Sequence, residues 1–123
     1  MAAPNLLSLT TINGKSATLA LTTSAASLLS NAAASGKVLK VNTVIVTNID
    51  GTNAADVTLN HYTAAALGGT AQAIASTISV PADSALVLID KNSSFYLEED
   101  KSLGALASAA GDLVVLISYE DIS

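Results

Sequence analysis

The 123-residue chain has no cysteine, no arginine and no tryptophan. Without thiols, disulfides and thiolate metal sites are excluded, and the composition carries no sign of a redox compartment. Five lysines stand against ten carboxylates, for a net charge of −5. Neutralising a phosphate backbone requires clustered basic residues; the lysines are scattered, so nucleic acid is not an expected partner. Mild acidity favours solubility. No apolar run approaches the roughly 20 residues of a membrane-spanning helix. The opening MAAPNLLSLTT lacks the basic start and long apolar stretch of a secretion signal. The protein is therefore expected to act where it is made, or on something assembled there.

Aromatic side chains are scarce as well: Phe95, Tyr62, Tyr96 and Tyr119 are all there are. In their place stand 34 Val, Ile and Leu residues and 23 Ala. The length suits one domain, with roughly 6,000 Å² exposed when folded against roughly 18,000 Å² for the open chain. Rings normally supply the largest single burials. A core of small aliphatics gains less per residue, which predicts further burial against a partner or a second copy.

The stretch Gly36–Tyr62, GKVLKVNTVIVTNIDGTNAADVTLNHY, is the most strand-prone part of the chain. Val38, Val41, Thr43, Val44, Ile45, Val46 and Thr47 are β-branched and suit a pleated surface. Asn48, Asp50, Gly51, Thr52 and Asn53 favour a reversal. Asp56–Thr63 then alternates, with Val57, Leu59 and His61 on one face, so the stretch is read as a hairpin. Upstream, residues 5–12 and 15–22 form a second expected hairpin around Asn13–Gly14. Ser24–Ser35 reads as loop, with a short helix capped by Ser24 or a brief strand at Leu28–Leu29 as alternatives. Downstream strands are expected at Ala71–Val80, at Ser84–Asp90 (an ALVLI run buried on both sides), and at Phe95–Leu97, Leu103–Ala107 and Leu113–Asp121. Pro81, Asn92–Ser94, Glu98–Lys101 and Ala110–Asp112 mark the turns between them. About eight short strands, with no helical crossover long enough for parallel pairing, predict one antiparallel β-sandwich or jelly-roll-like domain over residues 1–123. Within it, residues 1–35 read as an N-terminal hairpin or arm and loop, and 36–123 as the core.

Two strands break the expected alternation of apolar and polar faces. If Leu39, Val41 and Ile45 face inward, Val44 and Val46 are left outside. If Leu113, Val115 and Ile117 face inward, so are Val114 and Leu116. Covering loops or ordinary scattered exposure explain such residues as well as a protein contact does.

Catalytic and metal signatures are weak. His61 is the only histidine, sits on the apolar face of its strand, and has no partner at a recognisable spacing. Gly14-Lys15-Ser16 lacks the earlier glycine of a phosphate loop, position 9 being Leu. Asn48, Asp50, Asn53 and Asp56 gather oxygen ligands, yet no closing bidentate Glu follows, so a turn is the default over Ca²⁺. Glu98, Glu99 and Asp100 adjoin each other instead of facing across a cleft, as hydrolytic acids must. Asn92-Ser93-Ser94 fits a glycosylation sequon, without a secretion signal to give it meaning. Sugar recognition wants exposed rings, of which there are few. No catalytic, cofactor-binding or metal-ligating residue is assigned, and an enzyme is not expected.

Several segments in order, GKVLKVNTVIVTNIDGTNAADVTL, then SVPADS, YLEEDKSL and the terminal SYEDI, resemble small virion structural proteins of tailed bacteriophages, particularly those infecting marine cyanobacteria. The resemblance spans about residues 36–122. It implies a non-enzymatic jelly-roll subunit on the head, neck or tail of a virion assembled in the host cytoplasm. The first expectation is a capsid decoration (cement) protein bridging major capsid subunits, as a homo-oligomer with a trimer favoured. A neck or tail component is the alternative within that class, and a glycan- or cell-surface-binding module the alternative outside it. The expected interface residues are Leu6, Leu7 and Leu9 of an N-terminal clamp, with Val44, Val46, Val114 and Leu116. Neither nucleic acid nor membrane is an expected partner.

Overall fold

The computed structural model describes residues 4–123. Among them the chain forms nine strands and no helix: β1 (Ile12–Ala20), β2 (Ala26–Asn31), β3 (Val38–Asn48), β4 (Ala55–Ala64), β5 (Gly68–Val80), β6 (Ala85–Ile89), β7 (Phe95–Leu97), β8 (Lys101–Ala107) and β9 (Leu113–Ile122). One sheet runs β1-β9-β3-β6, with β7 also paired to β3; the other runs β2-β8-β4-β5. Every pairing is antiparallel. The result is a β-sandwich. Its chain crosses from one layer to the other at nearly every connection, and that wrapping is jelly-roll-like.

This wrapping corrects both expected hairpins. β3 and β4 lie in different sheets, so the Asn48–Asn53 turn is an arch between layers. The chain does reverse there, but β3 finds its partners in β9, β6 and β7. Asn13 and Gly14 sit inside β1, opposite Asp121 and Glu120. A nine-residue ladder with β9 outweighs the local turn preference of one dipeptide. Residues 5–11 make no strand; Ser8 N–H bonds Asn5 O at 2.9 Å, and the amides of Thr10 and Thr11 both bond Ser123 O at 2.8 Å. The direct hairpin is β4–β5, closed by Ala65–Leu67, where Ala66 and Leu67 take φ of 56° and 59°.

Residues 4–35, read from the sequence with 1–3 as an arm and loop, are no mere appendage; residues 1–3 lie outside the described residues. β1 and β2 each edge one sheet, and Leu21 and Leu29 join the core. Ser24–Ser35 contains β2 because Leu29 and Asn31 turn inward. β6 is not buried on both sides. It is an edge strand, and Val87 on its outer side is 55% exposed.

The inner faces meet over small aliphatics, with Val41, Val44, Val46, Val57, Leu59, Leu103, Leu113, Val115 and Ile117 fully buried. A register shift between Val41 and Thr43 against β9 explains the broken alternation of β3. Leu39 and Val41 point inward before the bulge, and Val44, Val46 and Asn48 after it. One extra residue flips every later side chain to the opposite face.

Two buried asparagines fasten the arches. Asn48 Nδ2 donates to Asn53 O and Val80 O, both at 2.9 Å, and its Oδ1 accepts the Asp50 amide at 2.9 Å. Asn31 Nδ2 donates to Lys37 O at 2.9 Å and to Leu97 O at 3.1 Å, while its Oδ1 accepts from Ser35 Oγ. Each ties a layer crossing to a strand end in the facing layer. Asn48→Ala should cost about 2–3 kcal/mol in urea unfolding, because it strands buried backbone groups without partners; an unchanged midpoint would contradict this role.

Candidate functional site

The outer face of the β1-β9-β3-β6 sheet is divided. At one end Lys40 and Glu120 stand opposite each other, with their charged ends 3.9 Å apart, and Asn42 Nδ2 donates to Glu120 at 3.1 Å. On the inner side of that same end, Lys15 and Lys37 flank the mostly buried Asp121 at 3.2 and 3.3 Å, tying β1 and the start of β3 to β9. At the other end, Thr18, Leu116, Ile45 and Val87 line up across four strands. Beside that row runs Ala20, Val114, Thr47 and Ala85. Neither row contains a charge. Leu116 is 40% exposed, and Ile49, in the adjoining arch, is 60% exposed.

The expected interface residues therefore separate. Val114 and Leu116 are on the outer face as the alternation requires, the first half-buried and the second exposed. Leu6 and Leu7 are exposed and Leu9 half-buried. Val44 and Val46 are corrected: both are fully buried between the sheets, because the bulge at Asn42 reverses their direction. Ile45 takes the outer position instead, and Val87 joins it. Sequence reasoning missed these two because one rests on an unforeseen bulge and the other on a strand assigned to the interior.

Along the opposite flank, the outermost strands of the two sheets, β5 and β6, border a cleft of about 500 Å³ lined by His61, Gln72, Ala73, Ile74, Ile89, Ser93 and Phe95. His61 does share the inner face of β4 with Val57 and Leu59, but at the cleft and not in the sealed core. The lining contains no acid to orient an imidazole for base catalysis.

The remaining candidates are engaged in shaping loops. Gly14-Lys15-Ser16 is extended strand. Glu99 Oε2 accepts the Gly36 amide at 3.0 Å, its other oxygen being buried without a partner, and Asp100 Oδ1 accepts the Ala65 amide at 3.1 Å. The Asn48–Asp56 set does not converge. Asn48 points inward, and Asp50 Oδ1 accepts the amides of Thr52 and Asn53 at 2.8 and 3.2 Å. Among the described residues, no three His, Cys, Asp or Glu side chains are placed to hold a metal ion.

No protein-family model matches the chain, and no curated protein does. Among solved structures, the fold is similar to that of a protein of Bacillus endospore appendages, which are described as forming "a novel family of disulfide-linked pili". The TM-score is 0.54 at 16% sequence identity, covering 98% of this chain and 95% of that one. At that identity the likeness shows the fold alone.

Two expectations follow. Val46→Lys should abolish cooperative folding, since it buries an unpaired charge, whereas Leu116→Lys should leave the urea midpoint within about 0.5 kcal/mol of wild type. Equal effects of the two would contradict the assignment of faces. The Thr52 amide, seconded by that of Asn53, holds the Asp50 carboxyl below its ordinary value. A carboxyl lowered in the folded state contributes stability above the unfolded value of about 3.9, which is lost as pH falls through the folded value. Carbon-detected NMR should place the Asp50 midpoint below that of an unstructured aspartate; a midpoint at or above it would contradict the turn geometry.

Proposed function

We propose that this protein is a non-catalytic building block of a many-copy assembly, and that the assembly is a tailed-phage virion in which it decorates the capsid shell. The observation that carries the reading is the uncharged, apolar half of an exposed sheet face centred on Leu116, Ile45 and Val87. The folded chain exposes 6093 Å² in all, an ordinary area for a monomer of its mass. The total therefore demands no partner. The apolar area is concentrated in one half of the face, with the outward charges Lys40 and Glu120 at its far end. The virion assignment and the bridging of major capsid subunits rest on the resemblance of residues 36–122, and a neck or tail position is compatible with the same face.

A second reading, a subunit of a surface fibre, is favoured by the end-to-end likeness to a pilus protein. This chain has no cysteine, so any fibre of it would be held without disulfides. Its few exposed rings leave a glycan-binding module with less support than either.

The test is copy number in purified particles of a phage encoding the protein. Hundreds per particle are expected for a shell decoration, and a dozen or fewer would move it to the neck or tail. Absence from particles, with fibres formed by the isolated protein, would overturn the virion reading in favour of the fibre.

A further inference from the structure

Native sheets protect their outermost strands with charges, prolines or covering loops, since an edge offers unpaired amides and carbonyls to any passing strand. β5 is such an edge. It pairs with β4 alone, runs for 13 residues and carries no charged side chain. Register shifts against β4 between Gly68 and Ala71 and again between Ala73 and Ile78, with the left-handed Thr77 (φ 47°), disturb both ends of β5, but Ala71–Ala73 pair regularly with Tyr62, His61 and Asn60. That regular part borders the cleft whose apolar walls are Ile74, Ile89 and Phe95.

The same molecule carries a segment of matching chemistry. No ionisable side chain precedes Lys15 in the sequence. Leu7 is 94% exposed and Leu6 46% exposed. Among the described residues, Asn5–Ser8 is held by two short-range bonds, Leu7 N–H to Asn5 Oδ1 and Ser8 N–H to Asn5 O, both at 2.9 Å. Extended, the segment would present Leu7 and Leu9 to one side and Leu6 and Ser8 to the other.

We infer that the Pro4–Leu9 segment of one copy adds as a strand to the β5 edge of the next copy, placing Leu7 and Leu9 in the cleft between β5 and β6. The donor cannot serve its own cleft. Thr10 and Thr11 fix its base to Ser123 beside β1 and β9, at the opposite edge of the sheet from β6. Three strand spacings, about 14 Å, separate β1 from β6. Six residues reach at most about 21 Å, which leaves only about two to pair. Donor and acceptor on opposite flanks make a head-to-tail contact, and such a contact closes into a ring, a trimer included, or continues as a filament. Main-chain bonds along β5 would supply affinity and the cleft specificity, as in other strand additions.

This inference rests on the assembly reading above, and the test separates the two. Full-length Leu7→Asp loses the donor and Ile74→Lys the acceptor; both residues are exposed, and circular dichroism checks that the fold is kept. In analytical ultracentrifugation, wild type should assemble and each variant should sediment as a monomer. An equimolar mixture should give a 1:1 dimer and nothing larger, because one intact arm meets one intact cleft. As a second measure that does not depend on assembly, a labelled peptide of residues 1–11 should bind Leu7→Asp saturably, and binding should be lost when Ile74→Lys is added. Wild-type assembly with both variants assembling alike, or variants that stay monomeric when mixed, would overturn strand donation and leave the assembly reading standing. A monomeric wild type that also fails to bind the peptide would overturn both.

Discussion

A sandwich of two open sheets cannot satisfy its own outermost strands. Here β1, β2, β5 and β6 each end a row of paired strands, and three of the four, β2, β5 and β6, are without a charged side chain. Charge is the ordinary guard of an edge, and in this chain only β1, with Lys15, has it. Backbone groups on unguarded edges bond either water or another strand. That constraint, beside an apolar half-face, leaves the backbone groups of β2, β5 and β6 open to a neighbouring strand.

Within one copy, stability depends on how the layers are fastened together. The core is made of valine, leucine and isoleucine, each of which buries less surface than a ring would. Asn48 and Asn31 compensate in geometry. Each replaces several water contacts with bonds that span a layer crossing, and each has its amide and its carbonyl oxygen engaged. Fully satisfied buried groups of this kind fix a unique arrangement, while half-satisfied ones would weaken it. Gly104 adds a local constraint: a Cβ there would come within 2.6 Å of Leu67 and 3.0 Å of Tyr62. Its bare backbone lets the β4–β5 hairpin tip fold down over β8.

Much of the fold was legible because period-two patterning survives wherever a strand runs without interruption. Val57, Leu59 and His61 share a face as read, as do Leu113, Val115 and Ile117. Three features were not legible, each for a physical reason. Turn-prone residues such as Asn48–Asn53 say that the chain reverses, but a reversal within a sheet and an arch between sheets use the same residue types. Asn13–Gly14 shows that a local turn preference yields to a long ladder supplied from the far end of the chain. The bulge at Asn42 leaves no mark in composition, yet it exchanged Val44 and Val46 for Ile45 on the outer face. The uncharged character of β5 could have been read directly, and its position at an edge could not.

Amide hydrogen exchange on the wild-type chain, compared between assembled and dissociated states, addresses the role of the unguarded edges most directly. On assembly, amides of β5 near Ala71–Ala75 should become protected, while those of the core strand Leu113–Ile117 should keep the protection they already have. Assembly that leaves the β5 amides exchanging as freely as in the isolated subunit would contradict that role.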